Sequence, residues 1–270
     1  MGLPVAKAHA YGNDFLLVPG NAARAFTGRQ DFPAFARTLC DRHHGVGADG
    51  LILHDVRERG ATMQLFNADG SPSELSGNGL RCLAALVARA QELGSGTEVT
   101  IDTGAGAKTL ELLECEGSRF TFRAALGPPE DVRQVSISAD GHSLTASVLR
   151  LGNPQCIVLG PLPEPERFHR LGPMLATHPM FPAGTNVAFA HIEAPDRVRI
   201  LIWERGVGPT SSSGTGTSAS AVAAAVHGGA AREIDVIAPE GTQRVEWRSD
   251  GVYLTGWAEI LLEGDWLRGL

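Results

Sequence analysis

The chain has 270 residues, of which 43% are hydrophobic and 20% charged, and its formal net charge is −7 at pH 7. These values are typical of a globular protein, and an acidic chain without a basic run argues against a nucleic-acid partner. No apolar run approaches the ~20 residues of a membrane-spanning helix, so we expect no membrane partner. The absence of signal-peptide features, and four cysteines without paired or metal-binding spacing, favour a reduced, cytoplasmic setting without a metal site.

Hydrophobic periodicity predicts many strands and few helices. Predicted strands cover residues 5–18 (two strands around a turn at Gly12-Asn13), 51–54, 61–66, 98–101, 109–113, 120–124, 135–137, 143–150, 181–190, 197–203, 233–238, 243–248 and 252–258. Predicted helices cover residues 32–42 and 164–175, and two further apolar helices follow Ser76 and Ser213. Between them, Gly45-x-Gly47-x-x-Gly50 resembles a dinucleotide-binding fingerprint. We reject that interpretation because the fingerprint needs a strand before it and a helix after it, the reverse of the predicted order.

The stretch from Trp203 to His227 organises the second half of the chain. Glu204 and Arg205, a candidate ion pair, precede a turn-forming run that ends in Ser213-Gly214-Thr215-Gly216. The following helix is almost entirely Ala and Val, which is typical of a buried helix. Its first N–H groups have no intrahelical partners and can hold a carboxylate or phosphate, although Ser213 could equally be a simple N-cap before a tight turn.

An internal duplication explains why this pattern occurs twice. Ser76-Gly77-Asn78-Gly79 matches the four residues that begin at Ser213, at an offset of 137, and an apolar helix again follows. Earlier, the segment that begins Gly12-Asn13 matches the one that begins Gly152-Asn153, at an offset of 140. Repeated features in the same order indicate two similar halves. Such halves would place Ser76 and Ser213 on opposite sides of one cleft.

We therefore predict an α+β fold of two pseudo-symmetric domains, each a β-structure wrapped around a central apolar helix. The run Gly127-Pro128-Pro129-Glu130 is the best candidate linker. The expected domains are residues 1–127, with the first serine, and residues 128–270, with the second. The sequence leaves open whether the last strand stays in the second domain or returns to the first.

Taken together, the motifs NADGSPSEL-SGNGLRC, ERGVGPT-SSSGTG, GNDFLLV, GVGADGL, GNPQC and GTNVAF resemble the diaminopimelate epimerase family over nearly the whole chain. The resemblance implies an isomerase that interconverts LL- and meso-diaminopimelate for lysine and peptidoglycan synthesis. It implies two bases, one on each face of the substrate α-carbon, and no cofactor. The implied partner is a small amino-acid substrate, and a homodimer is expected.

Site residues follow from the resemblance position by position. Ser76 and Ser213 occupy the two base positions. Gly77, Asn78, Gly214 and Thr215 match the residues that hold the α-carboxylate. The positions that match those holding the substrate's amino and carboxyl groups are Asn13, Asn67, Asn153, Asn186, Glu204 and Arg205.

The two serines depart from the family, whose bases are cysteines. A thiol has a pKa of about 8.5, and a serine hydroxyl is weaker by roughly five units, a handicap of about 7 kcal/mol. Gln155 also stands where the family usually has histidine. Besides a diaminopimelate epimerase, two alternatives stay open: a phenazine-biosynthesis-type isomerase with one acidic base, for which Glu74 is a candidate, and a catalytically silent amino-acid-binding protein.

Overall fold

The structure is a computed structural model that describes residues 2–28 and 31–267. The strands are β1 (Leu3–Ala10), β2 (Asn13–Pro19), β3 (Gly50–Arg57), β4 (Gly60–Asn67), β5 (Pro72–Ser73), β6 (Glu98–Thr103), β7 (Gly106–Glu116), β8 (Arg119–Gly127), β9 (Glu130–Ala139), β10 (His142–Leu151), β11 (Asn153–Leu159), β12 (Asn186–Ala194), β13 (Arg197–Glu204), β14 (Gly208–Thr210), β15 (Glu233–Ala238), β16 (Gly241–Arg248) and β17 (Gly251–Trp266). The helices are α1 (Gly20–Thr27), α2 (Phe32–Cys40), α3 (Gly77–Ala90), α4 (Pro165–Ala176) and α5 (Gly214–His227).

The chain forms two compact units. The first comprises the residues up to Ala124 together with those from Gly256 onward, and the second runs from Ala125 to Thr255. Strands β8 and β17 therefore each begin in one unit and end in the other. None of the described helices is both long and apolar enough to cross a membrane.

In the first unit a sheet separates two apolar layers. Strand β2 runs parallel to β3 and β4 parallel to β6, whereas β1 pairs antiparallel with β2 and with the last part of β17. Successive side chains of a strand point to opposite faces. Leu17 accordingly packs with the core around α3, and its neighbours Leu16 and Val18 pack with the core around α1 and α2.

The second unit repeats this order of strands. Strand β11 runs parallel to β12 and β13 parallel to β15, with antiparallel neighbours on either side. Ile157 packs with the core around α5, while the adjacent Cys156 and Val158 pack with the core around α4. The predicted α+β fold with two pseudo-symmetric domains is thus confirmed.

The two central helices differ in how they fill their cores. In α5 the run from Gly216 to Ala224 is buried on every side, which suits its small Ala, Ser and Thr side chains. The prediction of all-round burial is wrong at Val226, which is 46% exposed because the last turn leaves the core. In α3, by contrast, a buried arginine interrupts the apolar surface.

Candidate active site

Each candidate serine is the N-cap of a central helix. Ser76 Oγ accepts a hydrogen bond from the Gly79 backbone N–H at 3.1 Å, and Ser213 Oγ accepts one from Gly216 N–H at 3.4 Å. Both serines have extended backbone dihedrals, the usual N-cap conformation. The capping interpretation of Ser213 is therefore confirmed, and it is compatible with a chemical role.

In both units, close packing explains why the last residue of the Ser-Gly-x-Gly motif is a glycine. A Cβ added at Gly79 would lie 3.2 Å from Ile52 and from Met63, and 3.4 Å from the Ser76 Cβ. A Cβ added at Gly216 would lie 3.3 Å from Ser213 Oγ. The second glycine of each motif therefore lets the serine side chain fold back over the first turn. A Cβ at Gly77, in contrast, would meet no atom within 4 Å other than those of its chain neighbours and of the backbone of its own helix, so the first turn of α3 is open to a ligand.

Ser213 has an acidic neighbour. Glu204 is the last residue of β13 and pairs with Gly208 of β14, and its carboxylate lies close enough to the Ser213 side chain for that hydroxyl to influence its pKa. Burial raises the pKa of Glu204, and the Ser213 hydroxyl opposes that shift. Ser213 itself is only 6% exposed. A half-buried carboxylate thus lies beside a buried hydroxyl.

The candidate ion pair between Glu204 and Arg205 does not form within residues 2–28 and 31–267. Arg205 lies in the turn after β13, where its Nη1 donates to the Ala183 carbonyl at 2.8 Å and its side chain is exposed. Its backbone N–H donates to Asn186 Oδ1 at 2.9 Å. The turn therefore separates the two side chains and leaves Arg205 with guanidinium donors for an anion.

Gln155 links two of the predicted binding residues. Its Nε2 donates to Asn153 Oδ1 at 2.5 Å and to Thr215 Oγ1 at 3.2 Å. Gln155 is 1% exposed, and its own Oε1 has no hydrogen-bond partner. This amide fixes the start of β11 against the first turn of α5. The sequence identified Gln155 only as a departure from the family and gave no signal of the link.

The remaining asparagines divide by environment. Asn13 begins β2, and its buried Oδ1 has no hydrogen-bond partner. Asn67 is exposed at the end of β4 and donates from Nδ2 to Ser71 Oγ at 2.9 Å, so it also stabilises the turn before β5. Asn78 is 6% exposed, and its Oδ1 accepts from Arg81 Nη2 at 2.5 Å. Sequence reasoning missed Arg81, although a cation within an apolar helical run was a visible signal.

Two further features lie outside this set. A cavity of about 350 Å³ opens beside Arg205. Its wall is formed by Pro173, Ala176, Thr177, Phe181, Pro182, Ala183, Gly184, Trp203, Arg205 and Gly206. Neither Ser213 nor Glu204 lines this cavity. Glu74, the alternative acid, is exposed on the bend before Ser76.

Comparison with known proteins agrees with the motifs. The family model described as diaminopimelate epimerase matches residues 5–130 and 147–261. The diaminopimelate epimerase of Desulforudis audaxviator (strain MP104C) is 38% identical, covering 97% of this chain and 98% of that protein. The one from Desulfitobacterium hafniense (strain DSM 10664 / DCB-2) is 35% identical, covering 97% of each.

Among solved structures, a predicted epimerase from Pseudomonas aeruginosa has a TM-score of 0.71 at 15% identity, covering 98% of this chain and 99% of that one. A phenazine biosynthesis protein of the PhzF family from Bacillus anthracis has a TM-score of 0.68 at 14% identity, covering 99% and 100%. At these identities the structures show a shared fold alone. The full-length sequence matches go further, and by them the chain belongs to the diaminopimelate epimerase family.

Proposed function

We propose that this protein is a cofactor-independent isomerase that interconverts LL- and meso-diaminopimelate by proton transfer at the α-carbon. Family membership supports the reaction class. The observation that carries the proposal for a chain with serines is that the Glu204 carboxylate lies beside the Ser213 hydroxyl, which lowers the pKa that burial raises. A serine needs an adjacent base to act in proton transfer, and here the half-buried carboxylate of Glu204 takes that place.

On the Ser213 side the proton moves in two linked transfers. Ser213 Oγ takes the proton from the substrate Cα, and the hydroxyl proton of Ser213 passes to the Glu204 carboxylate. The electron pair of the broken C–H bond stays on the substrate and spreads into its carboxylate. Because burial raises the pKa of Glu204, its carboxylate is a stronger base than an exposed one. This relay avoids a free alkoxide and so offsets much of the ~7 kcal/mol handicap of serine against cysteine.

On the Ser76 side the hydroxyl acts as the acid that returns a proton to the opposite face. Donation leaves an alkoxide, which the Gly79 N–H and the positive end of α3 stabilise. The structure gives Ser76 no hydrogen bond to an ionisable side chain within its described residues. We therefore propose that the two half-reactions have unequal rates. Proton removal on the Ser213 side is faster than the return of a proton from Ser76 to the opposite face.

Substrate binding is assigned to the groups around these serines. We propose that the first turns of the two helices, at Gly77 and Asn78 and at Gly214 and Thr215, hold the α-carboxylate. Arg205 binds a carboxylate through its remaining guanidinium donors. The amide side chains of Asn13, Asn67, Asn153 and Asn186 position the substrate's amino and carboxyl groups, with the unpartnered Asn13 Oδ1 suited to accept from an ammonium group.

The setting of the enzyme is part of the proposal. We propose a cytoplasmic homodimer in which residues 1–127 form a domain that carries Ser76 and residues 128–270 form a domain that carries Ser213. The two compact units, divided after Ala124 and with Gly256 onward in the first unit, support a division into two domains.

Hydrogen exchange tests this function directly. Purified protein is incubated with LL-diaminopimelate in deuterium oxide, and mass spectrometry and chiral chromatography follow label and configuration. We expect α-deuterium in the recovered LL isomer before meso product accumulates. Glu204→Gln and Ser213→Ala should each slow exchange by about 10²-fold or more, the scale of a lost general base.

Ser212→Ala is the matched control, because Ser212 is a buried neighbour whose Oγ has no hydrogen-bond partner. It should leave exchange unchanged. Binding of diaminopimelate without any exchange would instead establish a silent amino-acid-binding protein and refute the proposal.

A further inference from the structure

Arg81 lies in the interior of the first unit, on the central helix that Ser76 caps. It is 2% exposed, and its neighbours along α3, including Leu80, Cys82 and Leu83, are buried apolar side chains. An arginine side chain stays charged under physiological conditions. A buried cation of this kind needs an anion or a set of hydrogen-bond acceptors.

The described part of the chain supplies little compensation for that charge. No carboxylate within residues 2–28 and 31–267 forms an ion pair with Arg81, whereas Arg89 on the same helix does pair, with Glu263. The guanidinium carbon Cζ lies 5.8 Å from the centroid of the Tyr11 ring, and the Arg81 Nε has no hydrogen-bond partner. Burial raises the pKa of the Cys82 thiol to about 12 and also raises that of Tyr11, so both are neutral near pH 7.

The hydrogen bond from Arg81 also determines which end of the Asn78 amide is free. Arg81 Nη2 donates to Asn78 Oδ1 at 2.5 Å, so Oδ1 is directed toward the guanidinium. The Nδ2 group, a donor of two hydrogen bonds, is left for another acceptor. Asn78 belongs to the first turn of α3, where an anion is favoured by the backbone N–H groups.

We propose that Arg81 is a positioning residue for the substrate α-carboxylate: it orients the Asn78 amide with Nδ2 toward the carboxylate and supplies the positive charge behind that site. The proposal rests on the proposed function, which assigns Gly77 and Asn78 to the α-carboxylate. The substrate carboxylate is then the counter-charge that the protein interior lacks.

Calorimetric titration with LL-diaminopimelate tests this role in the wild type, Arg81→Met, Asn78→Ala and the double variant. Arg81→Met should raise the Kd about tenfold or more, the worth of a charged hydrogen bond. Its Tm should not fall, because Met replaces an uncompensated buried charge. The loss in the double variant should be smaller than the product of the two single losses, because both substitutions break one arrangement.

The ligand panel separates a binding role from a structural one. L-Lysine retains an α-carboxylate, and 1,5-diaminopentane has none, so Arg81→Met should weaken the first and leave affinity for the second unchanged. If Arg81→Met does not fold, Asn78→Asp replaces it: a carboxylate against Arg81 should raise Tm and weaken diaminopimelate binding.

Wild-type affinity in Arg81→Met, independent losses in the double variant, or unchanged affinity in Asn78→Asp would each overturn the role of Arg81 while leaving the proposed function intact. Failure of the wild type to bind any of these α-amino acids would overturn both.

Discussion

At the residue scale, the proposed chemistry depends on the hydroxyl of Ser213 and the carboxylate of Glu204. Ser76 has the same cap geometry without such a neighbour, so the two base positions are unequal. The two Ser-Gly-x-Gly motifs are alike in sequence, but only the second has a carboxylate beside its serine in the described part of the structure. This difference also indicates which serine limits the inversion.

Cysteines at both base positions should greatly raise epimerase activity. Ser76→Cys with Ser213→Cys replaces two hydroxyls by thiols whose reference pKa is about 8.5, and the helix N-termini favour thiolates. Of the single variants, Ser76→Cys should help more, because Ser76 lacks a carboxylate partner. Chiral chromatography of diaminopimelate measures the rates. A double variant that binds substrate but stays inert would contradict the assignment of these positions.

His54 should make stability depend on pH. It is buried, neither ring nitrogen has a hydrogen-bond partner, and burial lowers its pKa from 6.5 to about 4. The neutral form is favoured in the fold, so stability is complete above about pH 6.5 and falls as pH drops toward 4, by up to about 3 kcal/mol. Urea unfolding at pH 7.5 and pH 4.5 measures this loss. In His54→Leu the difference in the free energy of unfolding between pH 7.5 and pH 4.5 should be smaller than in the wild type. An equal difference in the two proteins would contradict the role given to His54.

At the element scale, the β13–β14 hairpin and the capped helix α5 place Glu204 beside Ser213. Strand β14 has three residues, and its pairing with β13 turns the chain so that Glu204 meets Ser213 nine positions later. A strand this short has no periodicity, so the sequence predicted the helix, its cap and its repeat but not the contact. The Gln155–Thr215 and Asn78–Arg81 hydrogen bonds were hidden for a related reason, since spacing alone does not orient an amide.

A substitution at Gly77, the first glycine of the α3 motif, should affect stability and substrate binding in opposite directions. Gly77→Ala adds a Cβ that meets no atom within 4 Å beyond its chain neighbours and the backbone of its own helix, so the fold should gain about 0.4–1 kcal/mol from a less flexible unfolded chain. The same Cβ occupies space proposed for the α-carboxylate, so the affinity for diaminopimelate should fall. Thermal unfolding and calorimetry measure the two effects.

Gly79→Ala is the contrasting variant, because its Cβ would crowd Ile52, Met63 and Ser76. It should lower Tm as well as activity. Equal behaviour of the two variants would contradict the distinct roles given to these glycines.

At the scale of the whole molecule, the duplication was readable because both copies keep the same serine, glycines and apolar helix at nearly one offset. The return of the last strand to the first unit was harder to predict from the sequence. Residues from Gly256 onward belong with the first unit, where Glu259–Trp266 pairs with β1 and Ala258 and Ile260 enter the core around α3. Nothing in the local pattern of that strand distinguishes its two parts.

A chain that ends at Thr255 should therefore lose the structure of the first unit. Its β1 would lose the antiparallel partner that covers Leu3–His9, and the core would lose Ala258 and Ile260. Amide hydrogen exchange should show loss of protection in β1, β2 and α3, with β11–β13 still protected. A chain ending at Leu267 is the control. Full protection of β1 in the shorter chain would refute this dependence.

The late return of β17 also sets the order in which the protein can mature on the ribosome. The first unit lacks a strand until 142 further residues, from 125 to 266, have been synthesised. At about 5–20 residues per second, its nascent sheet waits roughly 7–30 s with the β1 edge exposed. The second unit, made as one continuous segment, is complete first. The first unit, although its residues are synthesised first, is therefore the last to complete its fold. A chain whose synthesis stops before β17 leaves the edge of β1 unpaired, and chaperones can bind that edge.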